Sequence, residues 1–127
     1  MAAIKVNRPC DVVWNIFTDL NSWKVWWGDT LKRINPSWQV GAALEFEAGD
    51  EGHVLDFNPL KRIVIKGNHG EILTWSFTED DLGSTFVEME ADLSTSSFRE
   101  TNLGALEIEL QSALSELKKY IESIPIL

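Results

Sequence analysis

The chain has 127 residues, 44% of them hydrophobic and 24% charged, and carries a formal net charge of −9 from 20 acidic and 11 basic residues. That length predicts one domain spanning 1–127, and the ordinary composition excludes a disordered or fibrous chain. The basic residues are scattered apart from Lys61-Arg62 and Lys118-Lys119, so no basic stripe can displace counterions from a nucleic acid, and an anionic membrane surface would repel the protein.

Ile4 and Val6 alternate with Lys5 and Asn7, which predicts a short first strand. Pro9 then opens a helix, since a missing N–H is harmless in a first turn, and Asp11 there complements the helix dipole. Val13, Trp14, Phe17 and Leu20 recur at helical spacing. Asn21, Ser22 and Gly28 interrupt that pattern and predict a break, followed by a second short helix or turn carrying Trp23, Trp26 and Trp27.

From 31 to 94 the apolar period becomes two, which predicts consecutive antiparallel strands. They are expected over 31–34, around Leu44 and Phe46, over 53–57, 62–66 and 72–78, and through Val87, Met89, Ala91 and Leu93. Gly49-Asp50-Glu51-Gly52, Asn58-Pro59, Asn68-His69-Gly70 and Asp80-Asp81-Leu82-Gly83 supply the turns. Leu73, Trp75 and Phe77 share one face of their strand. Residues 94–101 are small, polar and patternless, which predicts a loop. Asn102 caps a last helix whose apolar stripe holds Leu103, Leu106, Leu110, Ala113, Leu114, Leu117 and Ile121, with Glu109, Glu116, Lys119 and Glu122 outside it. A long amphipathic helix after a run of strands predicts an α+β architecture, in which an antiparallel sheet of about seven strands curls around the helix and leaves a cavity.

Several short motifs recur along this order: Pro9 with Val13-Trp14, Thr18-Asp19, Trp23 with Trp26-Trp27, Gly41, Gly52-His53-Val54, Asn58-Pro59 with Arg62-Ile63, Thr74-Trp75-Ser76-Phe77 with Gly83-Ser84-Thr85, and Leu114 with Leu117-Lys118 and Tyr120-Ile121. In sequence and spacing the chain resembles the Bet v 1-like or START-like (SRPBCC) helix-grip superfamily, and within it the domain related to the activator of the Hsp90 ATPase, often grouped with polyketide cyclases. The resemblance implies two short helices between strands 1 and 2 and a sheet gripping the C-terminal helix. It leaves function open, because the superfamily includes lipid carriers, hormone receptors, aromatase/cyclases and co-chaperone domains. Relatives often begin the last helix with a glycine-tryptophan pair, where this chain reads Asn102-Leu103-Gly104-Ala105.

Phosphate loops, GxSxG elbows, HExxH and EF-hand patterns do not occur in the sequence. No cofactor is expected, and no metal, since His53, His69, Cys10 and the carboxylates lack a recognisable ligand spacing. The two histidines alone titrate near neutrality unaided. Both fall in or beside turns, where exposure is the ordinary reading, and His53 is the candidate for proton transfer. Glu88 and Glu90 read as a solvated sheet face, and Glu107 and Gln111 as rim residues beside the helical stripe.

Aromatic residues carry more information. Trp26, Trp27, Trp38, Phe46, Trp75 and Phe77 fall on the elements that would surround a cavity, and Met89, Leu106, Leu110 and Ala113 complete its expected lining. Trp26 and Trp27 point about 100° apart on a helix, so only one can face fully inward. The sequence thus predicts a protein that binds an apolar or aromatic small molecule. An aromatase/cyclase-like enzyme and a co-chaperone-like module binding a protein partner, with Ile108 as an exposed hydrophobe, are the alternatives. One cysteine, no apolar run of signal length near the start and no window approaching a membrane span predict a cytoplasmic protein without membrane insertion.

Overall fold

The computed structural model describes residues 1–94 and 103–125. Seven strands pair into one antiparallel sheet: β1 (Ala2–Val6), β2 (Leu31–Asn35), β3 (Ala43–Phe46), β4 (Glu51–Asn58), β5 (Arg62–Gly67), β6 (Ile72–Glu79) and β7 (Thr85–Asp92). Their spatial order is β1-β7-β6-β5-β4-β3-β2, so β2 through β7 form a meander and only β1 crosses over, to pair with β7. Between β1 and β2 lie α1 (Cys10–Phe17), a 3₁₀ turn at Leu20–Ser22 and α2 (Trp23–Trp26), and α3 (Leu103–Ser123) follows the sheet. This is the expected helix-grip arrangement. Of the expected loop over 94–101 all but Ser94 lies outside the described residues, as does the Asn102 cap.

Alternation sets the inner face of the sheet. Trp75 stands opposite Ile63 on one side and Met89 on the other, and Met89 stands opposite Ala2, which makes one buried rung across four strands. Phe17, fully buried on α1, packs its ring 5.2–5.4 Å from the rings of Trp23, Trp26, Trp75 and Phe77. These tilted and edge-on contacts suit the aromatic quadrupole. On α3, Leu114, Leu117 and Ile121 are 0% exposed and join the same core as Val6, Val13, Val87 and Met89.

Two boundaries differ from the sequence expectation. Pro9 sits just before α1 with extended backbone (φ −61°, ψ 155°), and its carbonyl accepts the first helical bond from the Val13 N–H at 3.1 Å. Glu51 and Gly52 belong to β4, because the chain reverses earlier, over 47–50. Gly52 faces the interior, where an added Cβ would meet Ile65 Cγ2 at 3.2 Å and the Lys66 carbonyl oxygen at 3.3 Å. The glycine expected to make a turn instead lets two strands and a side chain approach closely.

The polar side of α3 closes the free edge of β1. Gln111 accepts from the Ala3 N–H at 3.2 Å and donates to the Ala3 carbonyl at 2.9 Å. Lys118 donates to the Lys5 carbonyl at 2.8 Å, and Glu122 accepts from the Asn7 N–H at 3.0 Å. Side chains thus supply what a further strand would, and the edge is satisfied without one. Among the described residues no helix is long and apolar enough to cross a membrane.

Candidate functional site

Ala91, near the end of β7, and Ala113, midway along α3, leave space between sheet and helix that larger side chains fill elsewhere. With Leu73, Leu93, Leu106, Leu110 and Trp27 they line a cleft of about 440 Å³, bordered by the carboxylates of Glu71 and Glu109. Its volume and apolar walls are those of a small-molecule pocket. A recess of about 160 Å³ shares Trp27, Glu71 and Leu73 with the cleft; Trp23, Phe46, Ile65 and Trp75 form its walls, and Asp50, Glu51 and His69 stand among its lining.

Glu71 is held at this junction by backbone geometry. The Gly67 N–H donates to the Glu71 carbonyl at 2.8 Å, closing the turn between β5 and β6. The side chain folds back over Gly67 so closely that a Cβ there would lie 1.7 Å from Glu71 Oε1. Only glycine at 67 leaves room for that carboxyl.

The tryptophans differ in what their indole N–H groups meet. Trp23 Nε1 donates to the Phe17 carbonyl at 2.8 Å, Trp38 Nε1 to the Thr18 carbonyl at 2.8 Å and Trp26 Nε1 to Ser22 Oγ at 3.4 Å. Among the described residues, two buried side-chain polar atoms lack a partner: Trp75 Nε1 and Glu71 Oε2. Both belong to residues of the recess. Buried polar groups are almost always satisfied, so two unpartnered atoms on residues that line one recess stand out.

Of the residues singled out from sequence, Trp27, Leu106, Leu110 and Ala113 line the cleft, and Phe46 and Trp75 line the recess. Trp26, Phe77 and Met89 are buried in the core and line neither. Trp38 stacks on Phe57 at 6.2 Å and on Trp23 at 6.3 Å, behind that wall of the recess, and lines neither space. Of the adjacent pair, then, Trp26 is 2% exposed and Trp27 turns to the cleft. His53 is exposed between buried Gly52 and Val54. Strand alternation therefore puts it on the outer face, beside Arg33, Asn35 and Glu45 and away from the cleft.

Glu107 and Gln111, read as rim residues, are taken up by the N-terminal amine of Met1 and by Ala3. The Cys10 thiol is buried and donates to the Leu60 carbonyl at 3.2 Å; burial, then Glu79 and Asp11, push its pKa up, which suits an unreactive thiol. Among the described residues no group of three or more His, Cys, Asp or Glu is placed to hold a metal ion.

Glu71, Leu73, Ala91, Leu93 and Glu109 also line the cleft and were not expected there from the sequence. Ala91 carried a usable signal, being the small member of the inward series Val87, Met89, Ala91. Glu71 carried none by itself, since its burial depends on a glycine four residues earlier.

The sequence matches the family described as activator of Hsp90 ATPase homolog 1-like protein over residues 7–122. Solved structures share the fold. CalU16 from Micromonospora echinospora superposes with a TM-score of 0.75 at 19% identity, over 98% of this chain and 74% of that one. The AHSA1-like protein from Aeromonas hydrophila gives 0.73 at 15% identity, over 95% and 91%, and the Aha1 dimer from Colwellia psychrerythraea 0.71 at 19%, over 94% and 92%. No curated relative matches the sequence.

Proposed function

Since the chain belongs to the activator of Hsp90 ATPase homolog 1-like family, we propose that it binds an apolar or aromatic small molecule in the cleft between β6, β7 and α3. The observation that carries this reading is the 440 Å³ space bounded by Leu73, Ala91, Leu106, Leu110 and Ala113. An apolar body moved from water into such a space gains roughly 25 cal/mol for each Å² it buries. His53, the residue an aromatase/cyclase-like reaction would have used, stands across the sheet and lends that reading no support.

Ala113→Phe tests the proposal. A phenyl ring on α3 should occupy the cleft, abolishing the fluorescence enhancement of Nile red while lowering the melting temperature little. A solid interior would instead give no Nile red signal with the parent protein and a loss of about 1–3 kcal/mol on substitution, from overpacking. That pair of results would overturn the reading.

A further inference from the structure

Resting on that binding role, we infer that the ligand is an apolar molecule with an uncharged polar head that both accepts and donates a hydrogen bond, such as a phenol, alcohol or carboxamide, and that carboxylates are excluded. Trp75, on β6, is 0% exposed, yet its indole N–H has no acceptor among the described residues, whereas the deeply buried indoles of Trp23 and Trp26 on α2 donate to Phe17 and Ser22. Glu71 Oε2 is buried without a donor among the described residues. The two atoms ask for opposite things: Trp75 for an acceptor, Glu71 for a donor. Both residues line the recess, and Glu71 also lines the cleft, which puts the two spaces side by side, the cleft for the body of the molecule and the recess for its head.

Charge fixes the head further. Asp50, Glu51 and Glu71 line the recess and Glu109 the cleft, with neither Lys nor Arg among the lining residues described. The one basic group there, His69, lies 4.0 Å from Asp50. A carboxylate head would meet like charge in a partly desolvated space, and a simple ammonium head could not accept from Trp75. A hydroxyl or a carboxamide offers both a donor and an acceptor.

Calorimetric titration of the intact protein with naphthalene, 2-naphthol and 2-naphthoate reads body and head separately. Naphthol should bind roughly tenfold tighter than naphthalene, the effect of satisfying a buried polar group, and naphthoate weakest. Trp75→Phe should remove the advantage of naphthol over naphthalene. Glu71→Gln should relieve the penalty on naphthoate, and Gly67→Ala should do the same by pushing the Glu71 carboxyl out of its place. If naphthol and naphthalene bind the parent protein alike, or naphthoate binds best, the head assignment is overturned while the cleft stands. If none of the three binds, the cleft reading falls and the head assignment with it.

Discussion

The two halves of α3 carry the same apolar stripe and do opposite things. In the C-terminal half, Leu114, Leu117 and Ile121 are completely buried, and Lys118 and Glu122 tie the helix to β1. In the N-terminal half, Leu106 and Ala113 are half-buried and border the cleft. The difference comes from what stands opposite. The closed half shares the core with the Phe17 aromatic cluster, Val13 and Met89, whereas the open half meets Ala91 and the ends of β6 and β7. An amphipathic stripe says which face of a helix is turned inward; the partner's side-chain volume decides whether that face is packed.

Truncation should expose the contrast most strongly. Leu117→Ala removes a fully buried side chain and should cost about 2–5 kcal/mol in urea denaturation, while Leu106→Ala, already beside open space, should cost distinctly less. Equal losses would mean that the open half is as well packed as the closed one. Enlargement should reverse the order of tolerance. Ala2→Leu, at a 0% exposed position opposite Met89, should destabilise by about 1–3 kcal/mol, whereas Ala91→Leu should be nearly neutral and weaken Nile red binding.

Acid should loosen the closed half by a small amount. Burial tends to raise the Glu122 pKa, but the Asn7 N–H, Lys118 and Arg8 outweigh it and hold the carboxyl below the usual glutamate range. A depressed folded-state pKa contributes stability above the unfolded value of about 4.3, and that contribution is lost as pH falls through the folded value. Asp80, held down by the Ser84 N–H, and Asp92, by Ser94, act in the same direction. Glu122→Gln should therefore flatten, slightly, the fall of melting temperature below about pH 4. An unchanged acid limb would show that the β1 contact carries no pH-linked stability.

The sheet and the long helix were legible because period-two alternation from 31 to 94 and the stripe on α3 are local signals. The rung through Ile63, Trp75 and Met89 follows directly from that alternation. The site was legible in its helical wall, Leu106, Leu110 and Ala113, in Trp27, and in Phe46 and Trp75 of the recess. Counting aromatics overstated the lining, since Trp26 and Phe77 serve the core around Phe17. Which aromatics pack on one another is decided by long-range placement of α1 and α2, and no residue spacing encodes it. Glu71 stayed hidden for a related reason: its place depends on the missing Cβ of Gly67.

The crossover of β1 also bears on how the protein is made. Ala2 pairs with Met89, Val6 with Thr85, and the remaining edge of the strand is served by Gln111, Lys118 and Glu122. On a ribosome, β2 through β6 can zip as each hairpin emerges, but β1, synthesised before all of them, finds its first partner only when β7 appears and its second only with α3. Such long-range closure comes late in folding and its entropy is the last to be met. The core beneath α1 therefore stays open during most of translation, and the oldest segment of the chain is the one that seals it.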